Sequence, residues 1–110
     1  MTIKELYAQL QTLNCPIAYY QFSKRVEPPF LIYFRNGTEN FVADDKVYKG
    51  VSNIQLELYT NNKSFDIETK IDNLLASLNI SFDKEDDYIE TEKMYLTSYS
   101  FQIVEEKEAN

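Results

Sequence analysis

Between Thr2 and Asn14 the apolar residues Ile3, Leu6, Tyr7, Leu10 and Leu13 recur three and four positions apart, which puts them on one face of a helix. Thr2 and Glu5 have the spacing of a capping box, each side chain answering the other residue's free backbone N–H. Pro16 prevents continuation, and Asn14 suits the exit. The period then changes. Ile17 to Phe22 carries the β-formers Ile17, Tyr19, Tyr20 and Phe22 and predicts a first strand. A polar stretch, Ser23 to Glu27, leads into Pro28-Pro29. Neither proline has a backbone donor, so the chain should enter the next strand from an edge or a loop. Phe30 to Arg35 is that strand, and its continuous apolar run predicts burial on both faces. Asn36-Gly37 reads as a turn.

Asn40 to Tyr48 then predicts a short projecting hairpin, with Phe41-Val42-Ala43 and Lys46-Val47-Tyr48 flanking Asp44-Asp45 at the tip. Asn53 to Thr60 alternates: Ile54, Leu56 and Leu58 face one way, Gln55, Glu57 and Tyr59 the other. Asn61 to Lys63 form a turn. Ser64 is the expected N-cap of a second helix, with Asp66 and Glu68 in its first turn and an apolar stripe of Ile67, Ile71, Leu74, Leu75 and Leu78. Asn79 can end it. Ile80 to Tyr88 and Met94 to Val104 predict two more strands joined by a turn over Glu90 to Lys93, with a charged tail from Glu105 onward. An α+β fold follows, with a mostly antiparallel sheet, two helices packed on one face and a projecting hairpin. The expected division is one domain over residues 1–104 and a charged tail over 105–110.

The 110 residues leave no room for a second core, and 44% hydrophobic residues exclude a chain too polar to fold. No apolar run approaches the roughly 20 residues of a membrane-spanning helix. The polar and apolar alternation at the start is not that of a signal peptide, so synthesis in the cytosol is expected. Net charge is −7 and uneven: residues 83–110 hold nine acids and three lysines, whereas residues 1–82 hold nine acids and eight bases. Such a surface argues against binding phosphate backbones and fits either simple solubility or docking on a basic protein. Nine Tyr and seven Phe exceed what one core of this size hides, so some rings should lie at interfaces.

Signals for chemistry are sparse. The chain has no histidine, one cysteine and two glycines, so the usual general base, a cysteine zinc site and a glycine-rich phosphate loop are all missing. Cys15, at a helix end, reads as a small packing residue. Asp83, Glu85, Asp86 and Asp87 lack the spacing and glycine of a calcium loop. No enzyme activity, cofactor or metal is expected. Tyr19-Tyr20, Tyr33 and Tyr59 are better read as core or protein interface than as stacking platforms for bases, given the acidic balance. The Asn40–Tyr48 hairpin is too short to bury Phe41, Val47 and Tyr48 by itself and must lean on its own sheet or on a neighbouring subunit.

Several blocks in order resemble the tail terminator, or head–tail joining, proteins of long-tailed phages and prophages of Gram-positive bacteria. They are Pro28 to Tyr33, Asn40 to Tyr48, Gln55 to Thr60 and Tyr88 to Tyr95, within a likeness running from about Leu6 to Val104. The resemblance implies a structural virion protein. It would form a ring, usually a hexamer, that caps the tail tube, stops its polymerisation and joins the head connector, made in the host cytoplasm and ending in the virion tail. Its implied partners are further copies of itself, the tail tube protein and a head-completion or connector protein, with no membrane and no specific nucleic-acid binding, although DNA may pass through the ring. It makes Phe41, Val42, Asp44, Asp45, Val47 and Tyr48 candidates for subunit contact. Asp83, Glu85, Asp86, Asp87, Glu90 and Glu92 become candidates for an acidic rim or lumen. The alternative is a monomeric acidic protein-binding inhibitor or adaptor.

Overall fold

The structure, a computed structural model, describes the backbone of residues 1–43 and 46–106 and the side chains of residues 1–39 and 50–105. Helix α1 (Ile3–Leu10) opens on the expected capping box: Thr2 Oγ1 accepts from the Glu5 N–H at 3.0 Å, and Glu5 Oε1 accepts from the Thr2 N–H at 3.2 Å. One 3₁₀ turn (Gln11–Leu13) follows. Asn14, left-handed at φ 57°, ends it, a conformation asparagine tolerates better than most residues. Then come β1 (Ile17–Tyr19), β2 (Phe30–Ala43), β3 (Lys46–Thr60), α2 (Phe65–Ser77), β4 (Phe82–Ile89) and β5 (Met94–Glu106). Ser64 caps α2 by accepting from the Ile67 N–H at 3.4 Å, and Asn79 leaves it at φ 60°. The strands form one sheet in the order β1-β2-β3-β5-β4, parallel between β1 and β2 and antiparallel elsewhere, so the fold is α+β with the sheet dominant.

Several expectations are corrected. The first strand stops after three residues because Tyr20 turns the backbone to φ 68°. The strand, turn, hairpin and strand expected between Phe30 and Thr60 are instead two continuous strands of 14 and 15 residues. Asn36-Gly37 lies inside β2, where the ladder register shifts between Arg35 and Gly37. Turn-prone residues also suit a β-bulge, which absorbs an extra residue while the hydrogen-bond ladder carries on. At the other end, β5 continues through Glu105 and Glu106, opposite Gly50 and Lys49, so the segment expected to fray begins as strand. The N-terminus holds it there: the Met1 ammonium donates to the Val104 carbonyl at 2.8 Å, and the Ile3 N–H donates to Glu105 Oε1 at 3.2 Å.

One alternating set of strand residues is buried: Leu31 and Tyr33 on β2, Ile54, Leu56 and Leu58 on β3, and Tyr99, Phe101 and Ile103 on β5. Register joins them across the sheet as Leu31↔Leu58, Tyr33↔Leu56, Leu56↔Tyr99 and Ile54↔Phe101. Leu6, Leu10 and Leu13 from the first helical segment and Ile71 and Leu75 from α2 belong to the same cluster. Each fully buried leucine or isoleucine there contributes about 1.5–3 kcal/mol relative to exposure. On the opposite, outer face Phe30, Ile32 and Phe34 are half-buried, not buried as the apolar run predicted. Aromatic neighbours shield them: ring centroids are 4.9 Å apart in Phe30–Tyr59, 5.4 Å in Phe22–Phe30 and 4.9 Å in Tyr20–Phe34.

The β2–β3 hairpin outruns its neighbours. β1 pairs with β2 only through Leu31 to Tyr33, and among the described residues β5 stops pairing with β3 at Lys49. The pairs Val42↔Val47 and Ala43↔Lys46 lie beyond both. The molecule is accordingly long, 51 × 27 × 22 Å, with a radius of gyration of 15.5 Å against about 13 Å for a compact chain of this length.

Candidate interaction surfaces

Of the residues singled out for subunit contact, Phe41 and Val42 lie in the distal end of β2, and Val47 and Tyr48 in the start of β3. Asp44 and Asp45 lie outside the described residues, as do the side chains of the other four. The acidic candidates all sit on the β4–β5 hairpin and are exposed: Asp83, Glu85, Asp86 and Asp87 on β4, Glu90 and Glu92 in the turn. The sheet divides them by its two-residue period. Asp83, Glu85 and Asp87 pair with Ser100, Ser98 and Leu96 on the outer face, whereas Asp86 pairs with Thr97 beside the core. They do not form one acidic cluster.

Asp86 belongs instead to an ion network where α2 crosses the sheet. Lys63 Nζ lies 2.5 Å from Asp86 Oδ1 and 2.9 Å from Glu68 Oε2. Lys84 Nζ lies 3.1 Å from Glu68 Oε1 and 3.2 Å from Asp72 Oδ2. Glu68 links the two halves, and Thr97 braces the first, its hydroxyl donating to Asp86 Oδ1 at 3.1 Å while accepting from Lys63 at 3.0 Å. Glu68 Oε2 has no directed hydrogen bond, so Lys63 meets it as a charge contact. Lys84 also lies 5.3 Å above the Tyr99 ring, and Lys63 5.7 Å from that of Phe65.

These contacts set the ionisation of the network. Burial pulls the Lys63 and Lys84 ammonium groups down, but the close contacts with Asp86 and Glu68, and with Glu68 and Asp72, outweigh it and hold both above their ordinary value. The Lys63 hydrogen bond holds the Asp86 carboxyl below the usual carboxylate range. Burial, with the Asp72 charge next, keeps the Tyr99 phenol protonated well above its ordinary value. The arrangement is a clamp between α2, β4 and β5. Sequence reading missed it, although a signal existed: Glu68 stands three and seven positions before Ile71 and Leu75, a carboxylate inside the buried stripe of α2.

The tyrosines separate into two kinds. Tyr33 is buried, and burial together with the neighbouring Tyr7 and Tyr19 raises its phenol. Tyr59 is half-buried, and burial plus its 2.9 Å hydrogen bond to Glu57 raises its phenol too. Tyr19 and Tyr20 stand exposed at the β1 edge. Cys15 packs half-buried against the core, and burial raises its thiol. A groove of about 370 Å³ on the outer face runs between the β1–β2 connection and the start of β5, lined by the apolar Phe22, Phe30, Ile32 and Met94 and the charged Lys24, Arg25 and Glu92. Among the described residues, no group of three or more acidic or cysteine side chains is placed to hold a metal ion. No family model matches this sequence, and no curated protein matches it either.

Proposed function

We propose that this chain is a structural assembly protein of the tail-terminator kind, a subunit that associates with copies of itself into a ring, usually six-membered in that family, on the end of a phage tail tube and beneath a head connector. The observation that supports this best is the shape. A β2–β3 hairpin outruns the strands on both sides of it, in a molecule longer than a compact chain of its length. An arm of paired strands with few neighbours of its own is stable when a second surface covers it. Identical subunits related head to tail close into a ring when the rotation allows. In this reading Phe41, Val42, Val47 and Tyr48 supply subunit contacts, and the outer-face carboxylates Asp83, Glu85 and Asp87 line a surface along which DNA passes without sticking.

Light scattering of the purified chain, alone and with a tail tube protein, tests the reading, and electron micrographs of the same samples should show rings. A strict monomer in both conditions sinks it. A one-to-one complex whose on-rate falls steeply with salt would favour the acidic adaptor instead. Tyr48→Ala is expected to weaken assembly while leaving the circular dichroism of the chain unchanged.

A further inference from the structure

Among the described residues, six large apolar side chains stand well exposed: Tyr19 (42%), Tyr20 (57%), Phe65 (68%), Tyr88 (45%), Tyr95 (36%) and Val104 (42%). Five of the six gather at the two opposite edges of the sheet. Tyr19 and Tyr20 meet edge to face at 5.1 Å on the β1 edge. Tyr88 and Tyr95 meet at 4.9 Å on the β4–β5 hairpin, and Lys63 bridges from Asp86 on β4 towards the Phe65 ring. The edges differ in charge. Residues 17–35 hold three bases and one acid, and residues 82–93 hold six acids and two lysines. Arg35 is tied to the first edge through its backbone, whose N–H donates to the Tyr19 hydroxyl at 3.2 Å and whose carbonyl accepts from the Tyr20 hydroxyl at 3.4 Å, and its side chain is exposed there. Asp87 precedes Tyr88 on β4, the strand that forms the second edge, and is exposed; it stands on the outer face of that strand, with Tyr88 and Tyr95 on the other face. Arg25, by contrast, has Glu27 at 3.7 Å, and Glu92 shares its groove.

We propose that these edges are the two halves of one contact between copies of this chain, with Tyr19, Tyr20 and Arg35 of one copy docking on Tyr88, Tyr95 and Asp87 of the next. The proposal rests on the self-assembly reading above and specifies a contact which that reading leaves open. A single copy cannot bring its own Tyr19 and Tyr20 onto Tyr88, because β2, β3 and β5 separate β1 from β4 and four strand spacings amount to about 19 Å. A two-fold contact would set like charges against each other, whereas a head-to-tail contact pairs a base-framed aromatic edge with an acid-framed one. Tyrosines are suited to such a seam, since they bury ring area and keep a polar tip. Tyr20 is also held at φ 68°, a backbone cost that the 3.0 Å bond from its N–H to the Tyr33 carbonyl and its stacking on Phe34 help to sustain. The acids of β4 then serve a subunit boundary as well as the outer face.

The test is charge reversal read by sedimentation velocity and light scattering on the full chain. Arg35→Glu alone and Asp87→Lys alone should each weaken self-association about tenfold or more. The two changes in one chain, or an equimolar mixture of the two single variants, should restore it to within about threefold of the parent, which a misfolded variant cannot do. Tyr20→Ser should weaken it with no rescue by either charge change. If the parent self-associates and the single reversals match it, or if neither the double variant nor the mixture recovers, this contact is wrong while the self-assembly reading stands. If the parent stays a monomer at every concentration, both fall.

Discussion

Replacing Glu68 by alanine withdraws the one carboxylate that the network buries, with 5% of its side chain exposed, and leaves Lys63 and Lys84 facing each other across the gap. Breaking a fully buried ion pair costs about 3–5 kcal/mol, most of it from the charge left behind. Here the two lysines are 23% and 28% exposed and keep Asp86 and Asp72 as partners, so water and the remaining carboxylates screen much of that cost. About 2 kcal/mol of destabilisation is the expected net effect. At about 4 °C per kcal/mol for a domain of this size, the melting temperature should fall by about 8 °C. Urea unfolding followed by circular dichroism measures it. A second arm, Lys84→Met in the parent and in the Glu68→Ala background, should give a coupling of about 1 kcal/mol, because the lysine becomes a liability once its acid has gone. A loss below about 0.5 kcal/mol with no coupling would show that water satisfies both lysines and that Ile71 and Leu75 hold α2 alone.

Two further outcomes follow from the same structure. Leu56→Ala removes a side chain with no solvent exposure between Tyr33 and Tyr99, and should cost about 3 kcal/mol in urea unfolding, with the spread set by how far the cavity collapses. Asp86 has a folded-state pKa below its ordinary value of 3.8, so its stabilising contribution is complete above that value and is lost as pH falls through the depressed one. The gap in melting temperature between the parent and Asp86→Asn should therefore be open at neutral pH and close towards pH 2, and a gap that persists unchanged in acid would remove the Lys63–Asp86 pair as its cause.

The local parts of this fold are legible in the chain because short-range chemistry decides them. Thr2 with Glu5, Ser64 with the Ile67 N–H, and Asn14 and Asn79 at helix exits each act within four residues, and each is where the pattern placed it. Alternation along Asn53 to Thr60 likewise names Ile54, Leu56 and Leu58 as core before any partner strand is known. Asn36-Gly37 was misread for a physical reason: a turn and a bulge draw on the same residues, and only the pairing of Phe34 with Gln55 and of Thr38 with Ser52 on either side separates them. The run Asp83 to Asp87 looked like one acidic surface because sequence carries composition without direction. Strand pairing sent Asp83, Glu85 and Asp87 outward and turned Asp86 towards Lys63 and Thr97.

What the amino-acid sequence determined by itself is therefore the two helices with their caps, the buried stripes of α1, α2 and β3, and the surplus of aromatic rings. The tertiary structure alone decided that β1 lies parallel to β2, that β4 and not β5 forms the far edge, and that Lys63, Glu68, Asp72, Lys84 and Asp86 meet. Those choices depend on pairings between residues far apart along the chain, whose free energy is shared across the whole sheet and leaves no local mark on any one segment.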